Sequence, residues 1–509
     1  MKFNIRFFHL CAAGLLLMAS CAKEESVSSE KFETQALEAW ITQHRPDLLE
    51  NYQADGGYYV DILDAGDADG RPVTDTICWL RLDMSGRDLS GNIILTRTEK
   101  EAIQAGSYTK YTHYVPYYNY CGTANTGLIE GTYLALRNKL TLGETYAQTH
   151  GLDREFLMRK NSRVTLYMPS RIVSSGGLNP DGGYEGQYSL EAGRPFVVTL
   201  TVVDRVENPL EDEGEAVDAF CEANGGLKIF SKDDDSEETE NTEMPTDPDS
   251  DDHPYNRSER WVSACDTVAQ VYVNYRFDPE TDRLTFSKRY ESMLPPYNDP
   301  TLEDRISKAL MERFHPDEDS HYVGVRELDA DSVKLDGTAK IWYIGRLADG
   351  FIFDTNIDEV KEIIYGKVES EGKALEYTPE SGGLISAFYY TVPNLKFGQW
   401  AAFMTISTHA YGSTGKSGGT TTISGYSSSY YDYLNYLYYM QAYYGNGGYY
   451  GGYYDNYYGS YLGGMYGGYY GGYYGGYWGD TSTETSTTIN TEILPFSSLI
   501  FEFYIEPES

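Results

Sequence analysis

Two polar residues of the 509-residue chain occupy positions where packing alone would not favour them. Asp354 directly follows the apolar run Phe351-Ile352-Phe353, and Tyr411 precedes Gly412 in a predicted turn. A carboxylate that ends an apolar strand and a phenol in a glycine turn can each hydrogen-bond a ligand. The eight histidines and the cysteines lack the spacings of a metal site, so we predict chemistry without a metal or a cofactor.

The segment KIWYIGRLADGFIFDTN, residues 340–356, predicts the element that carries Asp354. Apolar residues alternate around Tyr343, Ala348-Asp349-Gly350 supplies turn residues, and the apolar run then resumes. This pattern is typical of a β-hairpin with a glycine-containing turn.

Four further motifs follow this hairpin: a short helix, a Gly-Gln turn, an Ala-Tyr-Gly turn and a closing apolar strand. They are Leu384-Ile385-Ser386-Ala387-Phe388, Gly398-Gln399, His409-Ala410-Tyr411-Gly412-Ser413 and the stretch from Ile493 to Phe503. With the hairpin pattern Tyr-x-Gly-x-Leu-x-Asp-Gly-x-x-Phe-Asp, they resemble the FKBP-type peptidyl-prolyl cis-trans isomerases. The resemblance covers about residues 331–505, apart from one insertion. It implies an isomerase acting on X-Pro bonds of unfolded or flexible proteins.

The resemblance also implies a proline pocket walled by aromatic rings. Tyr343, Phe353 and Phe501 would form its walls. Phe388 would replace the family's tryptophan on the pocket floor and leave more room there. Taken singly, these rings could equally pack into the core of any such sheet.

Three polar groups would complete the implied pocket. The backbone N–H of Ile385 and the hydroxyl of Tyr411 would bind substrate carbonyl groups, and Asp354 would orient the site. Ile385 also has the spacing of a residue that packs a helix on a sheet. Packing explains Asp354 and Tyr411 less well, which favours a functional pocket.

An earlier part of the chain has the same outline without this chemistry. Where the family has its hairpin tyrosine and Phe-Asp pair, it offers Met84 and approximately Leu95-Thr96, and Thr132 replaces the helix-borne aromatic residue. The sequence therefore predicts an internal duplication. The predicted fold class is α+β, with tandem FKBP-like domains, each an antiparallel twisted sheet wrapped on a short helix.

Composition predicts the remaining domain organisation. We expect a degenerate first domain at 33–207, an acidic linker at 208–260, a β-hairpin segment at 261–300 and an isomerase domain at 301–509. Which of the two domains the hairpin segment packs on stays open. The linker is expected because residues 231–252 contain almost no apolar side chain. The four cysteines Cys78, Cys121, Cys221 and Cys265 allow disulfides, with three pairings open.

The N-terminus predicts export and lipidation. Residues 1–20 combine two basic residues with an apolar run too short to span a membrane, and they end before Cys21 in a pattern that resembles a bacterial lipobox. Cys21 would be acylated, with 21–32 as a tether. Lys23-Glu24-Glu25 resembles the export signal of surface lipoproteins in Bacteroidetes-like bacteria. We expect a lipid anchor in the cell envelope, at the outer membrane, with the membrane face left open.

Two compositional extremes bear on the partners. A formal net charge of -37 argues against nucleic acid as a partner. The insertion at about 413–492 is rich in tyrosine and glycine, and we expect it to be a disordered loop. Tyrosine rings can also bind surfaces, so the alternative function is a non-catalytic adhesion lipoprotein on the same scaffold.

Overall fold

The computed structural model of the protein describes residues 29–75, 78–122, 128–172, 183–184, 188–189, 194–229, 250, 253–265, 268–317, 321–366, 368, 371–379, 383–424 and 485–508. The predicted signal peptide, Cys21 and most of the tether lie outside these residues, as does 425–484 of the Tyr/Gly-rich insertion. Among the described residues, no helix has both the length and the apolar character required to cross a membrane.

Eight α-helices occur in the described part of the chain. They are α1 Ser29–His44, α2 Glu99–Ala105, α3 Glu130–Arg137, α4 Glu144–His150, α5 Pro209–Ala223, α6 Leu302–Phe314, α7 Asp358–Tyr365 and α8 Ser386–Thr391. The strands are β1 Tyr52–Gln53, β2 Tyr58–Ala65, β3 Cys78–Asp88, β4 Ile93–Thr96, β5 Tyr117–Cys121, β6 Leu140–Thr141, β7 Glu155–Phe156, β8 Ser162–Met168, β9 Gly183–Tyr184, β10 Tyr188–Ser189, β11 Phe196–Val206, β12 Leu227–Lys228, β13 Trp261–Ser263, β14 Val271–Asn274, β15 Ala339–Leu347, β16 Ile352–Thr355, β17 Leu375–Tyr377, β18 Trp400–Thr405, β19 Gly419–Ser424, β20 Thr485–Asn490 and β21 Leu499–Ile505.

The chain divides into two compact units, each built on one large sheet. The first comprises residues up to 97 together with 119–205, and the second comprises 98–118 and everything from 206 onward. The first sheet has the strand order β1-β2-β8-β11-β3-β4, with β5 beside β3, and the second has β12-β13-β14-β18-β21-β15-β16, with β17 beside β15. From β2 and β14 onward the two orders correspond strand for strand, as an internal duplication predicts.

The sheet of the second unit is covered by helices on both faces, because successive side chains of a strand point to opposite sides. Phe501 and Phe503 of β21 pack against Phe388 of α8, with ring centroids 5.1 and 5.9 Å apart. Tyr504 instead contacts Phe314 of α6 at 5.0 Å. All seven residues of β21 are therefore buried.

Several boundaries differ from the sequence prediction. The helix α5 is part of the second unit, so the stretch 208–260 is not wholly a linker. Its residues Val217, Phe220 and Cys221 belong to the hydrophobic core. Acidic residues on the exposed face of α5 gave it the composition of a linker. Residues 98–118, predicted as part of the first domain, belong to the second unit.

The β-hairpin predicted at 261–300 is wrong, because residues 283–290 are not extended in a ladder. β14 pairs instead with β13 and β18, which places 261–274 in the second sheet. The sheets are also not purely antiparallel, since β12 and β13 are parallel. Short apolar runs in a coil connection resemble strands by composition alone.

The described ends of the Tyr/Gly-rich insertion are ordered as a ladder, contrary to the expectation of a disordered loop throughout. β19 and β20 pair antiparallel from Gly419 opposite Asn490 to Ser424 opposite Thr485. The insertion therefore leaves and re-enters the second unit through a two-stranded stem.

Candidate functional site

The hairpin β15–β16 sets the first part of the candidate site. Gly345 lies opposite Asp354, and a bulge follows at Arg346. A Cβ at Gly345 would lie 2.7 Å from Cζ of Phe353, so the absent side chain leaves room for that ring. In this arrangement the Tyr343 hydroxyl donates a hydrogen bond to Asp354 Oδ2 at 2.9 Å.

Four aromatic rings meet beside this hydrogen bond. The Phe501 ring lies 5.5 Å from Tyr343, 5.7 Å from Phe353 and 5.1 Å from Phe388, measured between centroids. Phe403, which was not predicted, stacks on Phe501 at 5.1 Å. The predicted aromatic residues thus form one cluster, at geometries that aromatic pairs favour.

Ile385 places a backbone donor at the edge of this cluster. It is the N-terminal cap of α8, with an extended backbone, and its carbonyl accepts the first bond of the helix from Phe388 N–H. Its own N–H has no hydrogen-bond partner among the described residues. Orphan N–H groups at a helix start require a partner from a side chain, water or ligand.

Tyr411 lies in a turn that follows β18. Its carbonyl accepts a hydrogen bond from Gly415 N–H at 3.1 Å, and Gly412 adopts a φ of 63° that favours glycine. Its hydroxyl has no hydrogen-bond partner in the described part of the chain. Burial and the Asp354 carboxylate raise the pKa of Tyr411 to about 12, so the hydroxyl is a neutral donor at physiological pH.

Asp354 lies among three tyrosines, one of which the sequence did not indicate. Burial and the nearby Asp354 carboxylate raise the pKa of Tyr343 and of Tyr365 well above the ordinary range. Tyr365 ends α7 and stacks on Tyr111 of the 98–118 segment, with centroids 4.3 Å apart and planes 16° apart. No local pattern marks such a contact between distant residues, so sequence reasoning missed both.

Glu213 of α5 holds two segments that frame the site. Its carboxylate accepts hydrogen bonds from the N–H and Oγ of Ser407, both at 2.6 Å, and from Ser498 Oγ at 3.0 Å. Ser407 leads into the Tyr411 turn, and Ser498 directly precedes the strand of Phe501. Burial raises the pKa of Glu213 against the effect of these donors. This positioning residue lies where a linker was expected.

The first unit repeats the scaffold without the polar groups. Gly86 lies opposite Leu95 before a bulge, as Gly345 lies opposite Asp354. Met84 therefore occupies the Tyr343 position as predicted, but the Phe-Asp pair corresponds to Ile94-Leu95, one residue earlier than expected. Thr132 is fully buried and donates to the Ile129 carbonyl at 2.6 Å.

The structure thus brings the seven predicted residues of the second unit around one aromatic cluster, while Cys21 lies outside the described residues. No protein-family model and no curated protein matches the sequence. Similar solved structures include FKBP domains and a peptidyl-prolyl cis-trans isomerase. The FKBP domains of wheat FKBP73 are 12% identical, with 89% of this chain and 95% of that chain covered and a TM-score of 0.18.

Two bacterial structures are similar over one part of the chain. A peptidyl-prolyl cis-trans isomerase from Pseudomonas syringae pv. tomato str. DC3000 is 14% identical, covering 35% of this chain and 96% of its own, with a TM-score of 0.22. FkpA from Escherichia coli is 11% identical, and the match covers 40% of this chain and 75% of FkpA with a TM-score of 0.22. Such low TM-scores carry no argument about function, which has to be judged from the residues of the site.

Proposed function

We propose that the second unit is a peptidyl-prolyl cis-trans isomerase of the FKBP type, acting on X-Pro bonds of exported or unfolded proteins. The observation that carries this proposal is the Tyr343–Asp354 hydrogen bond beside the ring cluster, with two unused donors at Ile385 and Tyr411. A dry aromatic surface with a few fixed donors suits a proline ring flanked by carbonyl groups.

The reaction breaks no covalent bond. Its barrier of about 18–20 kcal/mol is the loss of amide resonance as the C–N bond turns, so an enzyme has to bind the twisted amide better than the planar one. Each 1.4 kcal/mol of such preference gives about a tenfold rate gain. The twisted amide carries little conjugation, and an apolar pocket favours it over the more polar planar form.

The residues divide this task between them. Phe353, Phe388 and Phe501 hold the proline ring and exclude water, while Ile385 N–H and the Tyr411 hydroxyl donate to substrate carbonyl groups. Asp354 fixes the Tyr343 ring through the 2.9 Å hydrogen bond. Export and acylation of Cys21 would place this activity in the cell envelope, on proline-containing proteins, with the membrane reached through the lipid anchor alone and no nucleic-acid partner.

The direct test is NMR exchange spectroscopy on a proline-containing tetrapeptide with the full mature chain. We expect the cis-trans exchange rate to increase with protein concentration, and Asp354→Ala to reduce that increase with the fold intact by circular dichroism. If the folded protein does not raise the cis-trans exchange rate above the rate in buffer, the proposal of an enzyme is wrong.

A further inference from the structure

The 98–118 segment belongs to the second unit, although the chain on both sides of it belongs to the first. Near its start, the Glu99 carboxylate accepts a hydrogen bond from Met293 N–H at 2.7 Å. Further along, His113 Nε2 lies 2.7 Å from Oδ2 of Asp349, which is in the turn of the β15–β16 hairpin. The segment is thus attached to the second unit at well-separated points.

The middle of this segment contacts the side of the candidate site that carries Asp354. Tyr111 stacks on Tyr365, with ring centroids 4.3 Å apart. Burial and the Asp354 carboxylate raise the pKa of Tyr365, which places this tyrosine beside Asp354. The ring of His113 lies 4.7 Å from that of Phe351, in the same hairpin as Asp354. The segment therefore lies along one side of the site.

The end of the segment contacts the side that carries Tyr411. The Tyr118 ring meets the Phe496 ring edge-on, with centroids 5.8 Å apart. The N–H of Phe496 donates a hydrogen bond of 3.2 Å to the carbonyl of Gly412, the residue after Tyr411. Burial and the Asp354 carboxylate raise the pKa of Tyr411 to about 12, so the two sides lie close together. The segment thus contacts both sides of one narrow site.

The rings that would hold a proline are almost wholly buried in this structure. Phe353, Phe388 and Phe501 are 5%, 3% and 5% exposed. A substrate has to reach a face of these rings, because the burial of apolar surface is what holds a proline ring. Part of the cover over the site must therefore move before a substrate binds. Residues 106–116 form neither helix nor strand, and connecting segments of this kind are more mobile than the elements they join.

We propose that the 98–118 segment is an autoinhibitory strap over the proline site, held in place by Tyr111 on Tyr365 and by Tyr118 on Phe496. This inference rests on the proposed isomerase function. Substrate binds only those molecules in which the segment has left the site, so the apparent affinity is reduced by that fraction. Removal of a ring contact that holds the segment increases the fraction.

Cis-trans exchange of a proline tetrapeptide, measured by NMR with the full mature chain, tests the two ring contacts. Tyr111→Ala and Tyr118→Ala should each raise the exchange rate about threefold to tenfold, because one aromatic pair favours the covered state by about that factor. Tyr52→Ala removes a ring contact with Tyr59 in the first unit and should leave the rate unchanged. Equal or lower rates in folded Tyr111→Ala and Tyr118→Ala would contradict the proposal.

Hydrogen exchange of the wild type, followed by mass spectrometry, tests the segment without catalysis. Thr109 N–H donates to the Tyr114 hydroxyl and Val115 N–H to the His113 carbonyl, both at 3.0 Å. A saturating proline tetrapeptide should make the amides of residues 109–115 exchange at least about threefold faster, because an occupied site keeps the segment displaced. The same peptide with alanine in place of proline is the control.

Two results of the hydrogen-exchange measurement would overturn the proposal. Slower exchange of these amides would make the segment a wall that contacts the substrate, and unchanged exchange would mean that it does not cover the site. The two measurements also separate this proposal from the proposed function. A wild type that catalyses, with no effect of the variants or of the peptide on the segment, is an isomerase without a strap. A protein that catalyses in no variant, but whose segment exchanges faster with the peptide, has a strap over a binding site that is not an enzyme.

Discussion

Tyr411 offers the simplest test of the proposed chemistry at the scale of one residue. Tyr411→Phe removes a hydroxyl that has no partner in the described structure, so the fold should keep its stability. We expect kcat/KM for a proline peptide to fall about fivefold to tenfold, the usual effect of one neutral hydrogen bond. The protease-coupled isomerase assay measures it, with the exposed Tyr52→Phe as the control. A loss of stability without a loss of turnover would make Tyr411 structural.

Some residue contacts at the site could be predicted from the sequence, and others could not. Tyr343 and Asp354 were predictable as neighbours because one hairpin carries both. Tyr111 and Tyr365 were not, because a stacking contact between residues 254 positions apart leaves no periodicity in the sequence. The register of the first hairpin depends on a bulge that no residue type predicts. The Phe-Asp pair therefore corresponds to Ile94-Leu95 rather than to Leu95-Thr96.

At the scale of elements, Glu213 makes the stability that α5 gives to the segments around the site depend on pH. The raised pKa of Glu213 means that the folded state holds the proton of this carboxyl group more tightly than the unfolded state does. The stabilisation is therefore complete below the ordinary pKa of 4.5 and is lost as pH rises through the raised value. We expect the stability advantage of the wild type over Glu213→Gln to decrease between pH 4 and pH 7.

Urea unfolding at a series of pH values gives this difference, and other carboxyl groups cancel because both proteins contain them. If the advantage of the wild type instead grows toward neutral pH, the three donors hold Glu213 as a carboxylate with a lowered pKa. The helix α5 was not predicted, because its exposed acidic residues have the composition of a linker. Its buried face can be recognised only once the sheet that it packs on is known.

The second unit as a whole depends on a cation buried between α6 and the sheet. Arg346 is 2% exposed and pairs with Glu303 and Glu502, each at 2.9 Å. Arg346→Met leaves two carboxylates facing each other, and we expect the unfolding transition of this unit to lose about 3–5 kcal/mol. Chemical denaturation at neutral pH measures the loss.

A matched triple variant separates charge from packing. Adding Glu303→Gln and Glu502→Gln to Arg346→Met removes the stranded charges, and it should recover most of the lost stability. A single variant as stable as the wild type would show that the buried cation is dispensable. The sequence predicted a sheet wrapped on one short helix, and α6 carries no motif that would assign it to the opposite face.

The paired strands β19 and β20 place Ser424 and Thr485 directly opposite each other. Residues 425–484 thus depart from and return to one end of this paired stem, at an anchor spacing of about 5 Å. A ligand bound by these residues would be held near the proposed proline site at an effective concentration on the order of millimolar. Because the two strands already lie side by side, residues 425–484 could be replaced by a two-residue hairpin turn that closes the stem.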